Sequence, residues 1–176
     1  ECVQESNEIK YTMPNAVEFD GFIDPYKLRD AVITAMEAHP YLKTRIVNTD
    51  DGELKQKRCD DVPMDDIEIV EVDVDVTPEM IMENEVRAIT LNGEQLFRFK
   101  IYKDPNKTWL FSDFHHIITD GVSQDNIFND IITAYETGSV ESEKINGFIY
   151  SLIEQENYDN EISEKLEYEI KPIIGQ

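Results

Sequence analysis

Phe114-His115-His116-Ile117-Ile118-Thr119-Asp120-Gly121 is the stretch on which the reading of this sequence turns. Upstream of it, Lys107 to His115 has the aromatic and branched composition of a strand. Downstream, Ile127, Phe128, Ile131, Ile132 and Tyr135 recur at helical spacing over Ser123 to Tyr135, and Gly138 ends the pattern. The block therefore lies where a strand passes through a turn at Asp120-Gly121 into an amphipathic helix. Side chains at such a passage are held at the rim of a rigid scaffold, where chemistry is commonly done.

Adjacent residues on a strand point to opposite faces. If that geometry persists, His116 shares a face with Ser112 and Phe114, and His115 with Phe111 and Asp113. The two imidazoles then have separate tasks. One can meet a substrate as a proton acceptor while the other packs or hydrogen-bonds behind it. The residues alone leave a second reading open, in which the pair only satisfies polar groups below a turn. Two adjacent strand histidines converge poorly on one ion, and a carboxylate four residues past His116 across a turn, Asp120, does not make the usual three-ligand zinc site, which argues against a metal.

Working outward, Leu96 to Tyr102 and Lys107 to His115 form a hairpin across Asp104-Pro105-Asn106. Thr12 to Phe19 reads as a strand or edge strand. Asp24-Pro25 opens a helix with the apolar stripe Leu28, Ala31, Val32, Ala35 and Met36, closed by His39-Pro40. Tyr41 to Val47 and Glu53 to Cys59 read as strands joined by the Asn48 to Gly52 turn. Ile67, Ile69 and Val70 fit a short strand after the acidic loop Asp60 to Asp66. Thr77-Pro78 starts a second helix with Met82, Val86 and Ile89 on one face, and Phe148, Leu152, Ile162 and Leu166 suggest two further helices. The expected fold is α/β in the broad sense, an α+β two-layer sandwich with a mostly antiparallel or mixed sheet. Its simplest packing places the helices on one sheet face.

The sequence has 16 Lys and Arg against 38 Asp and Glu, a formal net charge of -22. Such a surface repels phosphate, and the one basic stretch, Lys55 to Arg58, is broken by Gln56 and preceded by Asp50, Asp51 and Glu53, so no nucleic-acid partner is expected. Cys2 and Cys59 make neither a disulfide framework nor a zinc site, which fits a cytoplasmic protein. No apolar run is long enough for a membrane span, so no membrane partner is expected.

His115-His116-Ile117-Ile118-Thr119-Asp120-Gly121 resembles the signature of non-ribosomal peptide synthetase condensation domains, with both histidines, the aspartate and the glycine in register. Asn15-Ala16-Val17-Glu18-Phe19-Asp20-Gly21 followed by Leu28, then His39-Pro40-Tyr41-Leu42-Lys43-Thr44-Arg45, and Asp51-Gly52 followed by Gln56 extend the likeness over residues 10 to 140 and, more loosely, the tail.

The resemblance implies the amino-terminal lobe of a chloramphenicol acetyltransferase-like fold over 1–176, clipped at both ends, with 141–176 as a helical acidic tail. It implies transfer of an upstream carrier-bound acyl or peptidyl group to the α-amine of a downstream carrier-bound aminoacyl thioester. The partners would be the upstream and downstream peptidyl carrier domains, the carboxy-terminal lobe and the adenylation domain. No cofactor would bind directly, the substrates riding on the phosphopantetheine of the carriers. His116 matches the catalytic histidine, with His115, Asp120 and Gly121 as support: His115 for the strand, Asp120 for the turn, Gly121 for close backbone approach. Where the family usually carries an arginine paired with the motif aspartate, this chain has Lys43, so Asp120 is expected to be anchored by Lys43, with Arg45 as the second choice. An epimerization lobe, a coenzyme A-dependent acyltransferase and a non-catalytic docking lobe are the alternatives.

Overall fold

The computed structural model describes residues 9–19, 21–60, 66–144 and 146–159. Cys2, most of the loop expected at Asp60 to Asp66, and the helix expected around Ile162 and Leu166 lie outside them. The chain forms two compact units, Glu1–Ser142 and Glu143–Gln176.

In the first unit, β1 (Asn15–Phe19), β4 (Glu68–Glu71), β5 (Phe97–Lys103) and β6 (Thr108–Phe114) make one sheet in the order β1-β6-β5-β4. The hairpin β5–β6 and the pair β1–β6 are antiparallel, whereas β4 runs parallel to β5, so the sheet is mixed. Asp104 shapes the hairpin turn by accepting from the backbone N–H groups of Asn106 and Lys107. A separate antiparallel hairpin is formed by β2 (Thr44–Asn48) and β3 (Leu54–Arg58).

Strand parity then sorts the core. On one face Phe97, Phe99 and Ile101 of β5 join Leu110 and Phe114 of β6. They pack with Leu28 and Val32 of α1 (Pro25–Ala38) and Ile127 and Ile131 of α3 (Gly121–Thr137). On the other face Tyr102, Trp109 and Phe111 meet Ile81 of α2 (Pro78–Glu85). Helices therefore cover both faces, and α2 adds a layer to the one-sided packing that the sequence made simplest. Burying such aromatic and aliphatic side chains stabilises the unit by roughly 1.5–3 kcal/mol each.

The helix ends follow their residues. Asp24 caps α1 through its carboxylate, with Pro25 in the first turn, and Thr77 caps α2 through its hydroxyl oxygen, which accepts from Met80 N–H, with Pro78 in the first turn. Gly138 closes α3 with φ 81°, a left-handed conformation that side chains resist. In the second unit, α4 (Gly147–Asp159) is capped by Asn146, whose side-chain oxygen accepts from Phe148 N–H.

Two expectations fail locally. Tyr41 to Val47 is not one strand: Pro40–Lys43 forms a 3₁₀ turn in which Leu42 N–H donates to His39 C=O, and the strand begins at Thr44. Lys43 thus belongs to the turn and Arg45 to the strand. The second helix ends at Glu85, with Val86 already extended, so Met82, Val86 and Ile89 do not form one helical stripe. Ile81 is buried instead, and Ile89 packs into the opposite cluster.

Candidate functional site at the end of the sixth strand

The strand pairing of β6 outlasts its last regular residue by one step. His115 N–H donates to Leu96 C=O and His115 bridges Thr12 antiparallel, so it remains extended and stays on the face of Phe111 and Asp113. The chain then turns over His116, Ile117 and Ile118, with Ile118 N–H closing onto His115 C=O. His116 leaves the strand at this point. Its backbone N–H still donates to Tyr11 C=O, but its side chain is exposed. The alternation reasoned from the sequence thus holds to His115 and ends there, because the turn rotates the next residue out of the pleat.

The two imidazoles have opposite surroundings. His115 is 1% exposed, and its ring lies nearly parallel to that of Tyr11, centroids 6.0 Å apart. Its Nδ1 accepts the backbone N–H of Ile117 at 3.0 Å, which requires the proton to sit on Nε2. Burial, with a smaller contribution from the charge of His116, holds its pKa below the ordinary imidazole value, so it is neutral near pH 7. Its Nε2 has no hydrogen-bond partner among the described residues. One histidine thus braces the turn from inside while the other is presented by it.

Asp120 begins α3. Its Oδ1 accepts from Ser123 N–H at 2.8 Å and from Ser123 Oγ at 2.7 Å, and these bonds hold its carboxyl below the usual carboxylate range. It is an N-cap, and the ion pair expected with Lys43 or Arg45 is not formed. Lys43 Nζ is taken by Glu37 Oε2 at 2.8 Å, as the 3₁₀ turn directs it toward the end of α1. Arg45 is buried and donates to Leu42 C=O, Thr44 C=O and Gln95 Oε1. The spare capacity of Asp120 is met by its own helix. Gly121 is the first residue of α3, and a Cβ added there would meet nothing within 4 Å among the described residues.

Sequence reasoning missed one charged pair beside the site. Asp113 is 0% exposed and binds the guanidinium of Arg98, its direct register partner on β5. Arg98 also donates to Arg87 C=O at 2.6 Å, tying the segment after α2 to the sheet. The single charged residue in the fully buried strand Thr108–Phe114 was the available signal. Among the described residues no three His, Cys, Asp or Glu side chains are grouped to hold a metal ion, and no helix is long and apolar enough to cross a membrane.

Comparison with known proteins gives this geometry its context. The family model described as "Condensation domain" matches residues 3–167. Tyrocidine synthase 3 of Brevibacillus parabrevis is 32% identical over 126 residues, which are 71% of this chain and 2% of that protein. Surfactin synthase subunit 1 of Bacillus subtilis (strain 168) is 26% identical over 175 residues, 98% of this chain and 5% of that protein. Among solved structures, the starter condensation domain of rhizomide synthetase RzmA superposes with a TM-score of 0.72 at 17% identity, covering 90% of this chain and 40% of that one. The X-domain from teicoplanin biosynthesis gives 0.73 at 20% identity, covering 92% and 36%. The chain thus spans a few per cent of the length of these synthases and about two-fifths of the solved chains. With the histidine block at its strand-to-helix passage and a family match over nearly its whole length, the chain belongs to the condensation domain family of non-ribosomal peptide synthetases.

Proposed function

We propose that this chain supplies the histidine-bearing lobe for amide-bond formation between two carrier-bound thioesters, as a cytoplasmic acyltransferase of the condensation type. In the reaction the α-amine of the downstream aminoacyl thioester attacks the carbonyl carbon of the upstream acyl or peptidyl thioester. The new C–N bond forms, the C–S bond breaks, and the upstream phosphopantetheine leaves as a thiol. His116 accepts the amine proton or orients the amine for attack. A neutral imidazole suits the first role near pH 7, and orientation alone supplies a large part of a bimolecular barrier.

The observation that carries the reading is the contrast between exposed His116 and buried, internally bonded His115 at one strand end. His115 and Asp120 hold the turn and the helix start, and neither needs to touch substrate. The partners on this reading are the two peptidyl carrier domains, a carboxy-terminal lobe and an adenylation domain. Because the substrate channel would need that second lobe, the isolated chain is expected to fold without transferring acyl groups.

The test is single-turnover amide formation between loaded carriers, using the synthetase that contains this domain and its His116→Ala variant. Loss of product in the variant, with unchanged thermal unfolding, supports the reading. Unchanged product formation overturns it and leaves a docking lobe, while racemisation of a tethered residue in place of amide formation would make the domain an epimerase.

A further inference from the structure

Three of the four buried side-chain atoms that lack a hydrogen-bond partner among the described residues share one sheet face: Arg98 Nε, Asp113 Oδ1 and His115 Nε2. Asp113 and His115 are two residues apart on an extended strand, which places their side chains on one face roughly 7 Å apart at the backbone. Arg98 is the cross-strand partner of Asp113. Chemically the three are complementary. Arg98 Nε–H and the Nε2–H of His115 are donors, and Asp113 Oδ1 is an acceptor. One water can accept from both donors and donate to the carboxylate, making the three bonds that buried waters typically make.

The tautomer gives this arrangement a consequence for the site. Nδ1 of His115 can accept the Ile117 N–H only while the proton stays on Nε2, and that bond closes the turn from which His116 projects. An acceptor beside Nε2 fixes the proton there. We propose that Asp113 is a positioning residue for His116: its carboxylate, held by Arg98, takes the His115 Nε2–H through a buried water and so locks the tautomer that shapes the His116 turn. This rests on the reading of His116 as the reacting imidazole, and its test does not. Asp113 never meets substrate, and its effect travels through His115 and the backbone of Ile117.

The experiment uses the chain labelled with ¹⁵N-histidine. It has three histidines, so three imidazoles are seen, assigned with His39→Gln and His116→Gln variants. The expected wild-type spectrum shows His115 wholly as the Nε2–H tautomer, with an Nε2–H proton protected from exchange. The second arm is Arg98→Met/Asp113→Leu, which removes both charges together and so avoids a buried unpaired ion. It is expected to unfold within a few degrees of wild type, while the His115 Nε2–H exchanges about tenfold faster or more and the tautomers mix. A purely structural ion pair predicts an unchanged His115 spectrum in the double variant, and that result overturns the proposal. A wild-type His115 carrying its proton on Nδ1, or with an unprotected Nε2–H, overturns it without any variant. Full turnover by His116→Ala would remove the proposed function but leave these spectra as they are.

Discussion

The Ile117 backbone N–H donates to Nδ1 of His115 at 3.0 Å, so a buried side chain closes the turn that exposes its own neighbour, His116. Replacing either histidine should therefore do different damage. His115→Ala removes a buried ring and leaves the Ile117 amide without this acceptor, at a cost of about 2–4 kcal/mol by urea unfolding. His116→Ala should leave the urea midpoint within experimental scatter and act only on turnover. Equal destabilisation by the two changes would contradict the division of labour.

The depressed pKa of His115 makes stability depend on pH in a defined direction. The unfolded chain binds a proton at this residue near pH 6.5, whereas the folded chain resists it. The contribution of His115 is thus complete above pH 6.5 and is lost as pH falls from there toward the lower folded value. Urea midpoints measured between pH 5 and 7.5 should fall on acidification, and His115→Gln should flatten that part of the curve. An unchanged slope in His115→Gln would assign the effect to other groups.

Asp113 is buried and its partner Arg98 half-buried, and removing the arginine should cost about 3–5 kcal/mol, because the buried carboxylate is left uncompensated. Arg98→Ala should show this loss, and Asp113→Ala a smaller one, because the half-buried guanidinium keeps access to water. Arg98→Met/Asp113→Leu should recover most of it. Strictly additive losses in the double variant would mean that the two residues are not coupled.

Asp120 caps α3, and Asp120→Ala should lower the melting temperature by roughly 2–4 °C, with Asp120→Ser recovering part of it through its hydroxyl. Its lowered pKa means that the cap contributes fully above the ordinary carboxylate value of 3.8 and fades as pH falls through the lower folded value. Melting curves of wild type and Asp120→Ala should therefore converge in strong acid. Retained separation there would show that charge plays no part in the cap.

Lys43 pairs with an exposed partner, Glu37, so a double-mutant cycle between them should give at most about 1 kcal/mol, and one between Lys43 and Asp120 should give none. Arg45→Ala should cost about 1–3 kcal/mol because it strips donors from the C=O groups of Leu42 and Thr44 inside the protein. Coupling between residues 45 and 120 would restore the anchoring that the resemblance suggested.

The sequence by itself determined those features that local chemistry controls. Asp24-Pro25 and Thr77-Pro78 start helices because a side-chain oxygen caps free amides and proline tolerates the first turn. Gly138 stops α3, and the alternation in β5 and β6 assigns Phe97, Phe99 and Phe114 to one buried face. The histidine block and its place between strand and helix were legible for the same reason. What tertiary structure decided were the contacts between residues distant in sequence. Lys43 was drawn to Glu37 by a 3₁₀ turn that a strand-like composition concealed, α2 stopped at Glu85 and let Ile89 cross to the other core, and Asp120 spent its oxygen on Ser123. Arg98 met Asp113 only because β5 and β6 pair in that register. A side chain's own spacing says which face it occupies, but its partner is set by how separate elements come together, and no local pattern encodes that choice.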